Sequence, residues 1–499
     1  MSFPPAVAPS ASEPAASFNR IYLWTVSLVA ALGGLLFGYD WVVIGGAAKF
    51  YEAHFHLSET AVVMGDASVL ERLWSNVISP IGWAQSCALL GCLVGALVSG
   101  VLSDRYGRKP MLLIAGANFA IASIGNAMAD SFTTFVVWRI LSGVSIGLAS
   151  NISPMYISEL APARIRGLLV AVNQLTIVLG VLGAQAVNWL IAEPVPAGID
   201  ATAFLATWNV HTGWRWMFAA CAVPSLVFFV SAWFVPESPR WLASRGRHDR
   251  ARAILTRIGG APYASAALQA IETGHGSGSA DARVRFSDLF APGLRRVLVL
   301  GVVLAVFQQW CGINVIFNYA GEIFQRAGYD LNDTLTSIVM TGIVNLVFTV
   351  VALAAVDRLG RKPLMLFGAA ALTGLYLTIG FCFQQKGAGA AVPNSVFLVL
   401  VLSAIASYAM SLAPVTWVVI SEIFPNRIRG TAMSFAVGCL WIACFLLTYT
   451  FPIFNSLLGP HVTFWIYAGI CGAGFVFILR RLPETKGRTL EQIEQHLTS

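Results

Sequence analysis

Twelve apolar runs, each long enough to cross a bilayer as a helix, partition this chain. They lie near residues 21–48, 82–103, 110–129, 132–153, 168–192 and 214–235, and again near 297–321, 335–356, 363–384, 396–420, 431–453 and 461–482. A spanning helix needs about 20 consecutive apolar residues. Of the 499 residues, 57% are hydrophobic and 11% charged, against about 25% charged in an average soluble domain. A soluble globule of this length needs more charge to cover its surface, whereas lipid solvates apolar side chains directly. The pattern predicts an all-α integral membrane protein with twelve transmembrane helices.

Between the two sets of six runs, residues 239–295 turn polar and Arg-rich. Arg240 to Arg257 reads as a short amphipathic cytoplasmic helix, and the stretch around Gly274–Ser279 as a flexible link. The expected organisation is a disordered tail over 1–19, a six-helix bundle over 20–238, a cytoplasmic helical linker domain over 239–295, a second six-helix bundle over 296–483 and a cytoplasmic tail over 484–499. The first nineteen residues are rich in Pro, Ala and Ser, which cannot bury enough apolar surface to order. No cleavable signal precedes Ile21, so the first run is read as its own uncleaved insertion signal.

The net charge of +7 would suit a nucleic-acid binder, but its placement argues otherwise. Six of the 31 Lys and Arg residues (Lys49, Arg72, Arg139, Arg215, Arg326 and Lys386) fall in spans or odd-side loops, and the other 25 fall in the N-terminus, the even-side loops and the C-terminus. This positive-inside pattern puts both termini in the cytoplasm of a multi-pass inner (plasma) membrane protein. The eight cysteines lie within apolar runs without metal-ligand spacing and read as small buried hydrophobes. No metal, cofactor or nucleic acid is expected.

The two halves repeat each other. Asp104-Arg105-Tyr106-Gly107-Arg108-Lys109 returns as Asp357-Arg358-Leu359-Gly360-Arg361-Lys362. Ser158-Glu159 through Arg164-Ile165-Arg166-Gly167 returns as Ser421-Glu422 through Arg427-Ile428-Arg429-Gly430, and Pro236-Glu237-Ser238-Pro239-Arg240 has a looser echo in Pro483-Glu484-Thr485-Lys486-Gly487-Arg488. Echoes in the same order predict two pseudo-symmetric six-helix bundles of the same topology. Parallel repeats place a substrate site between the halves near the midplane, exposed alternately as one half rocks against the other.

These loops, together with Gln308-Gln309 and Gly312-Ile313-Asn314, resemble the sugar porters of the major facilitator superfamily from about Ile21 to about Gln495. The chain is similar to the bacterial D-xylose:proton symporters and to the facilitative glucose carriers. The resemblance implies a monosaccharide substrate, an aldohexose or aldopentose, and a carrier functional as a monomer in membrane lipid. It also implies a cytoplasmic gate in which Asp104 with Arg108, Asp357 with Arg361, Glu159 with Arg166 and Glu422 with Arg429 latch the halves in the outward-open state. Topology alone asks only for Lys and Arg; the duplicated acids favour the latch over simple orientation markers.

Two charges stand well inside the apolar runs, away from their ends. Asp40 is the only charge of its run up to Ala48, and Arg139 is the lone cation of the fourth run. A carboxylate at bilayer depth is costly unless paired, neutralised or hydrated. Pairing with Arg139 favours its ionised form, and separation in a dry setting favours the neutral acid, so the pair can bind a proton in one conformation and release it in another. In the proton-coupled members of the family an Asp in this segment has that role; the bland alternative is a purely structural ion pair.

Sugar recognition needs fixed hydrogen-bonding groups for several hydroxyls and an apolar wall for the ring. Gln174, Gln308, Gln309, Asn314 and Asn345 lie in the spans. Gln308 or Gln309 and Asn314 cannot share one helical face unless the helix breaks near Gly312. The resemblance carries sugar binding onto Gln174, Gln308, Gln309, Asn314, Asn345 and Trp417, with Phe37 and Trp441 as further wall candidates. Trp417 is expected just past a break at Pro414. Any one of these amides could instead join helices. Val181 and Leu440 replace glutamines of the xylose symporters, Phe317 a leucine, Cys221 a glutamate of the sixth span, and Asn318 a tyrosine common to both groups. The pocket thus leans towards D-glucose over D-xylose, and the missing sixth-span acid weakens the proton argument. Gly34 with Gly38, Gly91 with Gly95 and Gly143 with Gly147 have the small-residue spacing of close helix contacts.

The reading is a proton-coupled monosaccharide importer. An uncoupled facilitative carrier is the nearest alternative, and a non-transporting sugar sensor a different class. No nucleophile–base pair or nucleotide loop supports an enzyme, and the amide-rich centre does not suit a multidrug exporter.

Overall fold

The computed structural model describes residues 18–57, 79–196, 198–276, 294–424 and 429–486. Every regular element among them is helical. In chain order these are α1 (Arg20–His54), α2 (Pro80–Tyr106), α3 (Arg108–Ala127), α4 (Phe132–Leu160), α5 (Arg166–Ile191), α6 (Ala201–Leu205), α7 (Trp214–Ala219), α8 (Ala222–Phe234), α9 (Pro239–Ser244) and α10 (His248–Gly276). The second half holds α11 (Leu294–Trp310), α12 (Ile313–Asn318), α13 (Ala320–Arg326), α14 (Leu331–Leu359), α15 (Arg361–Gly387), α16 (Asn394–Met410), α17 (Leu412–Ile423), α18 (Arg429–Leu457) and α19 (Gly459–Arg481). Twelve stretches among the described residues are long and apolar enough to span a membrane, and many of their outward side chains are bare hydrophobes such as Val101, Ile121, Val227 and Val399.

Several boundaries differ from the sequence reading. The first 17 residues lie outside the described residues, but Phe18 and Asn19 of the expected disordered tail are placed. Asn19 caps α1 by accepting the Tyr22 N–H at 3.0 Å, and Phe18 packs edge-on to Tyr263 of α10 at 5.3 Å. The sixth span begins early: α6 and a π-helical turn over Asn209–Gly213 precede α7 and α8. The expected single linker helix is two, because Gly246 takes φ 71° and the Arg247 N–H turns back to the Leu242 carbonyl at 2.9 Å. Residues 274–276 close α10 rather than linking freely, while 277–279 and the tail from 487 lie outside the described residues.

Two spans break inside the membrane. The seventh stops at Trp310 and restarts at Ile313, with Gly312 at φ 85°, a left-handed conformation that only glycine adopts without cost. The tenth breaks at Ser411, φ −127° and ψ −84°, not at Pro414. The proline ring acts on the carbonyl four residues earlier, that of Met410, so the helix fails upstream of the proline itself.

Small residues set the closest packing. A Cβ at Gly91 or Gly95 of α2 would meet backbone of α4, and one at Gly143 or Gly147 would meet backbone of α2; Gly38 of α1 and Gly180 of α5 do the same for each other. The halves meet where α2 packs on α18 and α5 on α14. On the face away from the linker, Gln185 donates to Thr341 at 3.1 Å, Trp189 to Thr336 at 3.2 Å, and Asn332 exchanges two bonds with the Val195 backbone at 3.1 and 3.0 Å.

Candidate functional site

The break at Gly312 builds the centre of the site. It turns α12 so that Asn314 reaches back to Gln309, whose side chain it would otherwise miss. The Gln308 amide donates to the Tyr408 hydroxyl at 2.7 Å, Gln309 donates to the Gln308 oxygen at 2.8 Å, and Asn314 donates to the Gln309 oxygen in a short bond. All three amides are buried. The result is one hydrogen-bonded chain, Asn314–Gln309–Gln308–Tyr408, running from the restarted helix to α16. The Asn314 amide also donates to the Cys444 sulfur at 3.6 Å; the Gln308 and Gln309 amide nitrogens each carry a second proton, and the Asn314 oxygen has no partner among the described residues, so the chain can bind further hydroxyls.

An aromatic group from both halves faces the same interface. Phe37 lies 5.9 Å from Trp41 and 6.1 Å from Trp441, and the two indoles are 5.9 Å apart. Phe37 and Trp41 belong to α1 and Trp441 to α18, so the cluster joins the bundles. The Trp441 indole N–H is buried without a partner among the described residues. The other expected sugar residues are not brought to the amide chain by any contact among the described residues. Gln174 of α5 is half-buried, Asn345 of α14 is buried, and Trp417 of α17 is 36% exposed. Sequence reasoning missed Trp41 and Tyr408, whose rings inside apolar runs carry no signal apart from packing.

Asp40 and Arg139 meet as expected. Arg139 Nη1 lies 3.1 Å from Asp40 Oδ2, with each side chain 2% exposed. The guanidinium also points at the Asp40 carbonyl at 3.5 Å and lies 5.6 Å from the centre of the Phe218 ring. Both residues belong to the first bundle, so this charge pair sits beside the interface rather than across it.

The cytoplasmic motifs form two matching networks with a pairing the sequence reading did not anticipate. Glu159 is held by Arg108, not Arg166: Nε and Nη2 of Arg108 reach the two carboxylate oxygens at 3.0 and 2.9 Å, and Ser238 donates a short bond to the same carboxylate. Arg108 also pairs with Asp104 at 3.1 Å. With both Glu159 oxygens occupied, Arg166 makes, among the described residues, only a 3.5 Å contact to the Ala161 carbonyl, and its Nε is buried without a partner there. In the second half Arg361 pairs with Glu422 at 3.1 Å, and Thr485 donates to Glu422 at 2.6 Å. The side chains of Asp357 and Arg429 lie outside the described residues.

Two acids quoted in the motifs gain a role that spacing did not show. Glu237 accepts the N–H groups of Arg108 at 2.9 Å and Lys109 at 3.3 Å, and Glu484 accepts those of Arg361 and Lys362, both at 3.1 Å. Each carboxylate thus caps the positive end of the helix after its D-R-x-G-R loop. The loop glycines follow from this: Gly107 and Gly360 have φ 103° and 92°, and a Cβ on either would strike the capping carboxylate. Burial pushes the Glu237 carboxyl above the usual glutamate range, against the N–H groups of Ser238, Lys109 and Arg108 that lower it. These ion pairs stay within one bundle each; the hydrogen bonds described above between bundles are at the opposite face.

Comparison with known proteins agrees with this geometry. Residues 26–497 match the family described as Sugar (and other) transporter. The chain is 38% identical to the D-xylose-proton symporter of Escherichia coli, covering 96% of each, and 38% identical to the arabinose-proton symporter of Bacillus subtilis, again covering 96% of each. It superposes on the inward-open conformation of the E. coli xylose transporter with a TM-score of 0.79 and 35% identity, covering 95% of this chain and 99% of that one.

Proposed function

This chain belongs to the sugar transporter family, and from that premise we propose that it imports a monosaccharide together with a proton by alternating access. The observation that carries the coupling is the Asp40–Arg139 pair, 3.1 Å apart and 2% exposed on both sides. A charge pair sealed at this depth is costly to keep for structure alone, and separating it converts the carboxylate into a proton acceptor.

The substrate is an aldopentose or aldohexose. Gln308, Gln309 and Asn314 supply ordered amides for its hydroxyls, and Phe37, Trp41 and Trp441 supply an apolar wall from the facing bundle. Gln174, Asn345 and Trp417 complete the binding shell when the bundles close on sugar. Buried Val181 and Leu440 make the pocket less polar than a pentose site with glutamines there, which favours D-glucose over D-xylose.

The chain is a multi-pass plasma-membrane protein. We place both termini and the linker in the cytoplasm from the distribution of Lys and Arg. The bonds from Gln185, Trp189 and Asn332 then close the outer face. In the outward-open state Asp104, Arg108, Glu159, Arg166, Asp357, Arg361, Glu422 and Arg429 bring the inner ends of the bundles together. The carrier works as a monomer, since each polypeptide holds both halves of the site.

The test is uptake of labelled pentoses and hexoses by proteoliposomes, with and without an imposed pH gradient. Accumulation that an uncoupler abolishes is the expected result. Entry that only equilibrates under every gradient would leave an uncoupled carrier, and no entry of any sugar would end the reading.

A further inference from the structure

Asp40 is sealed, and a proton carrier must somehow be reached by water. A cavity touches its partner: Arg139 lines it together with Trp41, Gln85, Cys92, Ile146 and Asn318. Its walls come from α1, α2, α4 and α12, so it spans from the charge pair to the interface between the bundles. Three of its lining residues have a polar atom that is buried without a partner among the described residues: Arg139 Nε, Gln85 Oε1 and Asn318 Oδ1. These residues are 2%, 3% and 3% exposed. Unpaired buried polar groups are costly, and a cavity with such groups on several sides is the ordinary setting of an internal water.

The chemistry of the three atoms is complementary to water. Arg139 Nε carries a proton to donate, and the two amide oxygens accept. One water can therefore accept from Arg139 and donate to Gln85 and Asn318, using three of its four hydrogen-bonding positions. Gln85 continues the line outward by donating to the Tyr51 hydroxyl at 2.9 Å. Tyr51 lies eleven residues beyond Asp40 on α1, roughly 16 Å nearer the outer end at the helical rise. Asn318, at the end of the restarted α12, is the contribution of the second bundle, so the site is complete only while the bundles are docked at this face.

We propose that this cavity is a water-binding site that hydrates the Asp40–Arg139 pair while the bundles are docked at the outer face, with Gln85 and Asn318 as the acceptors that hold the water. The proposal rests on Asp40 being the proton carrier. The Asp40 carboxylate exchanges its proton with the water held there as the ion pair opens, and Arg139 keeps its own charge throughout. Asn318 is a positioning residue: it makes hydration of the proton site depend on the position of the bundle that carries the sugar amides.

The test uses the full-length protein in proteoliposomes, reading an entrapped pH dye and labelled sugar entry together. Gln85→Leu and Asn318→Leu each remove an acceptor and fill its space. Each is expected to lower the ratio of proton flux to sugar flux below the parental value, because losing one buried hydrogen-bond partner weakens hydration of the pair. Asn318→Ser, which keeps an oxygen, should retain the parental ratio. A merely structural role would lower both fluxes alike and leave the ratio unmoved, which overturns the site. A density map of the parent that resolves waters is the second measurement: water bonded to Gln85 and Asn318 is expected, and a dry cavity overturns the proposal without any variant. The two levels of failure are distinct. If the parent moves no protons, or Asp40→Asn moves them as well as the parent, symport itself fails; if the parent couples and both leucine variants keep its ratio, this site alone fails.

Discussion

Glu237 and Arg108 are 129 residues apart in the chain and meet at the first turn of α3, where the Glu237 carboxylate accepts the Arg108 backbone N–H at 2.9 Å. The side chain of the same arginine grips Glu159. One short segment thus fixes the end of α3, the end of α4 and the entry to the linker, and Glu484, Arg361 and Glu422 repeat the arrangement in the second bundle. The motif is a helix cap and an ion pair built into each other, which explains why its acids recur along with its bases.

The cap has a pH signature. Burial raises the Glu237 carboxyl, so the folded state holds its proton more tightly than the unfolded chain does. A raised carboxyl contributes stability that is complete below the unfolded value and lost as pH rises through the folded one. Compared with Glu237→Gln, the parent should therefore lose thermal stability as pH climbs upward from the ordinary glutamate value of 4.5. Melting curves of both proteins in detergent across that range check it; a constant difference between them would show that Glu237 does not titrate this way.

Much of this architecture is legible in the sequence, because the bilayer imposes a length on each span and duplication repeats each motif. Asp40 and Arg139 could be paired in advance since an isolated charge in lipid requires a partner, and Gly312 could be read as a break because Asn314 is out of reach otherwise. The partner of Glu159 could not. Arg166 is the near cation in the chain, but Arg108 comes from 51 residues away and binds both oxygens. Trp41 and Tyr408 were hidden for a different reason: an aromatic ring in an apolar run looks the same whether it faces lipid, core or cavity. Pro414 marked a break in the tenth span, but its ring acts a turn upstream, at Ser411.

Asp40→Asn removes the proposed proton acceptor and keeps the shape. One proton crossing about 100 mV releases about 2.3 kcal/mol, enough for roughly fifty-fold accumulation. The variant should lose that accumulation and still exchange labelled for unlabelled sugar. Concentration of sugar by Asp40→Asn vesicles would remove this residue from the coupling.

Gln309 sits in the middle of the amide chain, with partners on both sides. Gln309→Leu leaves Gln308 and Asn314 each short of a bond, and buried orphan groups cost about 1–3 kcal/mol. Sugar affinity should drop roughly ten- to a hundred-fold, more than for Asn345→Leu, whose amide has no partner among the described residues. Gly312→Ala should weaken sugar too without touching it, because φ 85° disfavours a side chain and Tyr467 crowds the added Cβ. Calorimetric titration of the purified protein gives the order of the three.

The two faces of the molecule should respond to substitution in opposite senses. Gln185→Leu and Asn332→Ala delete bonds that join the bundles on the outer face, so both should raise the outward-open population. Glu422→Gln weakens the Arg361 and Thr485 contacts, so on the proposal that this network draws the inner ends together in the outward-open state it should favour the inward-open state. Cysteines introduced one at a time near each face, labelled with a membrane-impermeant reagent on right-side-out and inside-out vesicles, separate the outcomes. Faster outer labelling in Gln185→Leu and faster inner labelling in Glu422→Gln is the expected pattern. Equal rates in Glu422→Gln and the parent would mean that the duplicated acids only hold each bundle together, and that the outer bonds alone set the balance between the two states.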